Sequence, residues 1–201
     1  MSWLKLLIPA ALKNQLIKLI KRCETKGLTL KSGVILDKHT KFAGYNSVHE
    51  SSFVYSCSIG MFSYIGRQST ISNAKIGSFC SIGPGVKIGL GQHPASGFVS
   101  THPLFYSLNT EPCGVSIVAE NLFEESSEVT IRNDVWIGAN VIIMDGVTVG
   151  NGAIIASGSV VLRDIEDFEV VAGVPAKKIK ERFSVVQQRM ILESSWWEER
   201  D

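Results

Sequence analysis

The sequence predicts an all-β fold, a parallel β-helix, on three observations. An apolar residue returns every sixth position as Leu30, Leu36, Phe42, Val48, Val54, then Ile59, Ile65, Ile71, then Ile76, Ile82, Ile88, and resumes as Ile131, Ile137, Ile143, Val149, Ile155 and Val161. Four positions after it stand small or β-branched residues: Val34, Thr40, Ser52, Ser58, Ser63, Ser69, Cys80, Val86, Val135, Val141, Val147, Ala153 and Ser159, with Asn46 the exception. Glycine directly follows it in Ile59-Gly60, Ile65-Gly66, Ile76-Gly77, Ile82-Gly83, Ile88-Gly89, Ile137-Gly138 and Val149-Gly150. A six-residue return is neither a helical period nor strand alternation. It fits a coil of short strands joined by tight turns. Each hexad then supplies an inward plug, a smaller second plug and a turn, for which glycine permits positive φ. A β-sandwich would not hold 17 positions in register with two one-residue slips, Val54 to Ile59 and Ile71 to Ile76.

A chain of 201 residues accommodates one domain with a real core. Its formal net charge of +1 carries no nucleic-acid footprint. The four cysteines, Cys23, Cys57, Cys80 and Cys113, show no zinc spacing. Cys80 occupies a small-plug position, and reduced thiols in a cytoplasmic protein are expected.

Three segments follow from the pattern: an N-terminal amphipathic helix over 1–24, a β-helix over 28–168 interrupted by a loop at 90–129, and a C-terminal extension and helix over 169–201. In the first, Leu12, Leu16, Leu19 and Ile20 line one helical face and Lys13, Asn14, Lys18 and Lys21 the other. Lysines interrupt it too often for a membrane span, and no small-residue cleavage pattern follows it. Two readings remain open for residues 1–22: a cap over the unpaired edges of the first coil, or an in-plane helix held against anionic lipid at the inner membrane face.

The repeat stops at Ile88 and resumes at Ile131, 43 residues on instead of six. Long irregular insertions in compact coils are usually functional. This one contains His93 and His102, the aromatics Phe98, Phe105, Tyr106 and Phe123, and Pro94, Pro103 and Pro112. Histidine and aromatics on an arm predict a substrate cleft. His39 and His49 fall on non-plug positions and read as surface residues. Beyond the coil, Ile179, Phe183, Val186 and Met190 recur at helical spacing before Trp196-Trp197. Lys177, Lys178, Lys180 and Arg182 then crowd the first turn, where a macrodipole disfavours cations unless an anion binds.

These hexads resemble those of the hexapeptide-repeat acyltransferases. A narrower likeness lies in "IGSFCSIGPGVKIGLGQHPASGFVSTHPLF", "IRNDVWIGANVIIMDGVTVGNGAIIASGSVV", "DIEDFEVVAGVPAKKIKERF" and the closing "SSWW". Together, over roughly Ile59 to Trp197, they are similar to the xenobiotic acetyltransferase branch, which includes streptogramin and chloramphenicol acetyltransferases and sugar O-acetyltransferases of polysaccharide synthesis. The resemblance implies a left-handed helix of triangular section, five to six coils here, assembled as a homotrimer with the active site between subunits. It implies acetyl-CoA as acyl donor and no metal. By matching motif positions it implies His93 as general base, His102 in the acceptor pocket and Trp136 bordering the thioester; the aromatic character of the arm places Phe105 and Tyr106 in that acceptor pocket too. Gly138, Ala139 and Ala156 would line the pantetheine arm, and Lys177, Lys180 and Arg182 the coenzyme phosphates. Antibiotic-inactivating members usually carry asparagine before the histidine; Gln92 stands there.

A hydroxyl needs a base to attack a thioester at neutral pH. Histidine, with an ordinary pKa of about 6.5, is largely ready to accept a proton there. The expected reaction is therefore direct acetyl transfer in a ternary complex to a hydroxyl of a sugar or polysaccharide. An amino group on a nucleotide-linked sugar and an antibiotic hydroxyl are the alternative acceptors. A cysteine nucleophile would need a thiol beside a base, and Cys113 is the one cysteine on the arm. A metal-dependent hydratase would need three convergent imidazoles. A non-catalytic scaffold would need neither the histidine-bearing arm nor the Gly-x-Pro-Ala element.

Overall fold

The hexads close into three stacked faces of very short strands in the computed structural model, which describes residues 9–109 and 114–198. The first face holds Thr29–Leu30, Ser47–Val48, Tyr64–Ile65, Ser81–Ile82, Trp136–Ile137, Ile154–Ile155 and Glu169–Ala172. The second runs from Ile35–Leu36 through Phe53–Tyr55, Thr70–Ser72, Lys87–Ile88 and Ile142–Ile143 to Val160–Val161. The third contains Lys41–Phe42, Ser58–Ile59, Ala74–Ile76, Val129–Ile131 and Thr148–Val149. Every pairing among these is parallel. Consecutive strands lie on successive faces, and the architecture is the left-handed parallel β-helix.

Two-residue strands are not stable alone, so each draws its backbone partners from the coils on either side. Register keeps like residues in columns: Val48 beside Ile65, Ile65 beside Ile82, Ile82 beside Ile137, Ile137 beside Ile155. These plugs are buried almost completely. The small plugs fill the corners, and their hydroxyls bond the next coil. Ser52, Ser63 and Ser69 donate to the carbonyls of Gly66, Gly77 and Gly83 and accept from the amides of Ser69, Cys80 and Val86. No buried side-chain nitrogen or oxygen among the described residues lacks a partner.

Two details of the repeat differ from expectation. At the shortened steps the inward small residue comes three positions after the plug: Cys57 and Ala74 are buried, whereas Ser58 is exposed. The glycines after the plugs are also not the positive-φ corners, Gly89 excepted. That conformation falls two residues further on, at Phe62, Gln68, Phe79 and Asn140 among others. Close approach of the next coil demands the glycines instead: a Cβ on Gly66 would sit 2.6 Å from the carbonyl carbon of Gly83.

The insertion leaves the second face after Lys87–Ile88 and returns as Val129–Ile131 on the third, between Ala74–Ile76 and Thr148–Val149. It costs the stack no level, so the arm is an outgrowth of one corner. The coil also continues past Val161, where the plain hexad count stops: Ile165 bridges to Val149, and Val171 pairs with Ile155.

Helix α1 (Ala10–Glu24) covers the open first coil. Asn14 donates to the Val34 carbonyl at 3.0 Å and accepts the Leu36 amide at 3.3 Å, satisfying edge groups of the first second-face strand. Arg22 bonds the Leu30 carbonyl, and Ile17 packs against the core. The helix caps the coil, but not through its leucines: Leu12, Leu16 and Leu19 are 56%, 51% and 59% exposed. Residues 1–8 of the expected helix lie outside the described residues. Among those described, no helix is long and apolar enough to cross a membrane.

At the other end Lys177–Glu181 is a strand antiparallel to Glu169–Ala172, not the start of a helix. The last first-face strand offers unpaired backbone groups, and the chain folds back to fill them. Helix α2 (Val185–Ser194) begins only at the Ser184 capping box, where Ser184 and Gln187 bond reciprocally.

Candidate active site

The arm is pinned at both feet by one carboxylate. Asp145 accepts the Gly91 amide at 2.9 Å and the Ser127 amide at 3.3 Å. Beyond this clamp the Gln92 amide donates to the Glu125 carbonyl at 2.9 Å and its side chain to the Glu124 carbonyl at 3.2 Å. His93 follows immediately. The aromatics give the arm a core of its own. Tyr106 is completely buried and meets Phe98 and Phe123 edge-to-face, at centroid distances of 5.7 and 5.6 Å. This corrects the expectation that these rings line a cleft: most of them pack on one another, and Phe105 is the exposed member. Pro112 and Cys113 lie outside the described residues.

The imidazole of His93 is exposed and held from behind. Its Nδ1 lies 2.9 Å from the Thr101 carbonyl oxygen and 2.6 Å from Tyr106 Oη. Tyr106 Oη in turn donates to the same carbonyl at 3.3 Å. Burial, and then the Glu125 carboxylate, pushes the Tyr106 phenol up from its ordinary value, which keeps it neutral. Tyr106 was expected in the acceptor pocket. A fully buried ring has no surface to offer an acceptor, so its place is behind the histidine. His102 is exposed and its Nδ1 accepts the Leu104 amide at 3.2 Å, capping the short turn Pro103–Phe105.

Trp136, Gly138, Ala139 and Ala156 come together where the first face turns its corner. Trp136 projects outward, 56% exposed. The Ala139 amide donates to Ser157 Oγ at 3.1 Å, and the Gly158 amide to the Ala139 carbonyl at 2.8 Å. A Cβ on Gly138 would lie 2.5 Å from the Ser157 nitrogen. Pairing across four adjacent strands puts Trp136, Ile154, Val170 and Lys180 in one transverse row. Three strand spacings make that row roughly 14 Å long.

The basic cluster divides. Lys177 and Lys180 are exposed on the edge strand and belong to none of the ion pairs found among the described residues. Lys178 is engaged by Glu169 at 3.1 Å and by Glu181. Arg182, expected at the phosphates, is half-buried, bonding Asp134 at 3.1 Å and the Gly152 carbonyl, with its guanidinium over Phe183. It ties the C-terminal segment to the coil through Nη1. Burial pushes the thiols of Cys57 and Cys80 up to about 12 and about 11, which removes thiolate character at neutral pH. The roles of Asp145, Thr101 and Tyr106 were not evident in the sequence. Asp145 lies in a turn of the later repeat, 54 residues from Gly91, and no motif links the two.

Comparison with known proteins adds to this geometry. Residues 128–163 match the family model described as bacterial transferase hexapeptide (six repeats). The chain is 34% identical over 179 residues to a chloramphenicol acetyltransferase of Agrobacterium fabrum, covering 86% of this chain and 81% of that protein. It is 39% identical over 125 residues to a chloramphenicol acetyltransferase of Escherichia coli, covering 61% of this chain and 58% of the relative's length. Among solved structures, AntD, an N-acyltransferase from Bacillus cereus in complex with dTDP and coenzyme A, superposes with a TM-score of 0.61 at 19% identity, covering 90% of this chain and 95% of that one. At that identity the likeness is one of fold.

Proposed function

This chain belongs to the hexapeptide-repeat acyltransferase family, and we propose that it is an acetyl-CoA-dependent O-acetyltransferase acting on a hydroxyl of a sugar or polysaccharide. The observation that carries the proposal is His93: an exposed imidazole on a doubly anchored arm, backed through Nδ1 and with Nε2 directed away from that anchor. In the proposed step the acceptor O–H gives its proton to His93 Nε2 as the oxygen bonds to the thioester carbonyl carbon. The tetrahedral intermediate then expels the thiolate, which takes the proton back from the imidazolium. Base catalysis of this kind contributes about 10²–10⁴-fold. Backbone amides or the Trp136 indole are suited to the oxyanion. Holding both substrates in one cleft supplies much of the rest.

The row from Trp136 to Lys180 supports the donor site, with the thioester beside Trp136, the pantetheine arm along Gly138, Ala139 and Ala156, and the phosphates toward Lys177 and Lys180. We assign the cleft to a homotrimer, in which His93 faces coenzyme bound to the next chain. The exposed apolar residues Val99 and Leu122 on the arm and Val186 and Met190 on α2 support such an assembly. The outward stripe Leu12, Leu16 and Leu19, bordered by Lys18, Arg22 and Lys31, supports contact with anionic lipid at the inner membrane face of a cytoplasmic protein.

A second reading has its own support: the relatives at 34% and 39% identity are named chloramphenicol acetyltransferases, which favours an antibiotic hydroxyl as acceptor. N-acylation of a nucleotide-linked amino sugar is the acceptor class suggested by the AntD complexes. Gln92 preceding the base and the leucine stripe favour the glycan reading. A screen with labelled acetyl-CoA across oligosaccharides, nucleotide sugars and chloramphenicol decides between them. Acetylation of a saccharide hydroxyl is the expected result, and turnover confined to the antibiotic or to an amine overturns it.

A further inference from the structure

We propose that Tyr106 is a positioning residue for His93, fixing the orientation of an imidazole whose Nδ1–H tautomer the Thr101 carbonyl sets, so that Nε2 presents the basic lone pair to the cleft. This rests on the reading of His93 as the base. A carbonyl oxygen has lone pairs only, so the Thr101 oxygen 2.9 Å from Nδ1 requires a proton on that nitrogen. Tyr106 Oη, 2.6 Å from the same nitrogen, must then accept rather than donate. Its own proton has an outlet in the Thr101 carbonyl at 3.3 Å. The three groups form a closed triangle in which each proton has one consistent direction. The opposite assignment, Tyr106 donating to an unprotonated Nδ1, would set the ring nitrogen and the Thr101 carbonyl lone pair to lone pair.

The phenol is also suited to orient the ring. Tyr106 meets the imidazole edge-on at 81°, with centroids 6.3 Å apart. Phe98 and Phe123 hold Tyr106 in turn. The Tyr106 and Ser107 amides both bond the Pro103 carbonyl, and the Leu122 amide bonds the Tyr106 carbonyl. The hydroxyl therefore transmits the rigidity of the arm's core to the reacting ring. It never touches substrate, which separates its role from that of His93.

The test is nitrogen NMR of the full-length protein with isotope-labelled histidine, the His93 signal being assigned by its loss in His93→Asn. The expected wild-type spectrum shows a protonated Nδ1 and an unprotonated Nε2. In Tyr106→Phe, which keeps the ring and its packing, the tautomer should persist through Thr101, while nitrogen relaxation should show the His93 ring moving more freely on its one remaining anchor. Turnover should fall roughly tenfold, with the KM for acetyl-CoA unchanged. A wild-type spectrum with the proton on Nε2 overturns the proposal even if the variant fails to fold. So does unchanged mobility of the His93 ring in Tyr106→Phe, or a gain in mobility with undiminished turnover. Should His93→Asn keep wild-type turnover, the base reading falls, while the relaxation measurement still decides whether Tyr106 holds the ring.

Discussion

Replacing Asp145 with alanine should loosen the arm while leaving the coil intact. The carboxylate accepts one amide at each foot, Gly91 at 2.9 Å and Ser127 at 3.3 Å. Hydrogen bonds to a charged acceptor are worth about 1.5–3 kcal/mol each, but the second is long and the half-buried site admits replacement water, so about 2 kcal/mol is the expected loss. At about 1.4 kcal/mol per factor of ten, local opening becomes about thirtyfold more frequent. Native-state hydrogen exchange reads this directly. The reporters are the amides of Gln92 and Leu122, whose acceptors are the carbonyls of Glu125 and Tyr106. Both should exchange about thirtyfold faster, and turnover should fall with them. The amides of Trp136 and Gly138, bonded within the coil to Ala153 and Ile155, should be unchanged. Unchanged exchange on the arm, or equal acceleration in the coil, would refute the clamp.

Three further outcomes rest on the same geometry. Gly66→Ala should lower the melting temperature markedly, because its Cβ would meet Gly83 backbone at 2.6 Å; overpacking of this kind costs about 1–3 kcal/mol, and a melting point equal to wild type contradicts the stacking argument. Leu16→Asp should abolish co-sedimentation with vesicles containing anionic lipid without altering the melting temperature; absence of vesicle binding by the wild-type chain retires the lipid contact. The thiols of Cys57 and Cys80 ionise only near about 12 and about 11 when folded, against an ordinary 9.0. A raised folded value means the unfolded chain loses these protons first, so their contribution is complete below pH 9 and is lost as pH rises toward 11 and 12. Urea titrations should show stability falling across that window, and less steeply in a Cys57→Ala, Cys80→Ala variant; equal slopes contradict the assignment.

Much of the stack is legible in the sequence because one physical requirement repeats: each two-residue strand must send one apolar side chain to the axis. Ile65, Ile82, Ile137 and Ile155 align by counting alone. The departures share a cause, namely contacts between coils that spacing does not reveal. Glycine reads as a turn residue, yet at Gly66 and Gly138 the neighbouring coil sets the requirement, while Phe62 and Gln68 take the positive φ. The shortened steps conceal which residue turns inward, so counting favours Ser58 where Cys57 is the buried one. Ile179 stands at helical spacing from Phe183 and Val186, but an open sheet edge outweighs local periodicity and draws Lys177–Glu181 into a strand. On α1 a polar side chain, Asn14, makes the packing contact because the edge of the first coil presents backbone groups to satisfy, leaving the leucines outward. At the site, His93 is visible through its motif. Its supports Tyr106, Thr101 and Asp145 are assembled only by the folding of the arm.

Turnover of the His93→Ala enzyme with acetyl-CoA and an accepted saccharide, measured beside its coenzyme affinity, bears most directly on the chemistry. A loss of about 10²–10⁴ in kcat is expected, with coenzyme binding close to that of the parent protein. Alanine at this position with undiminished kcat would mean that the proton is taken elsewhere.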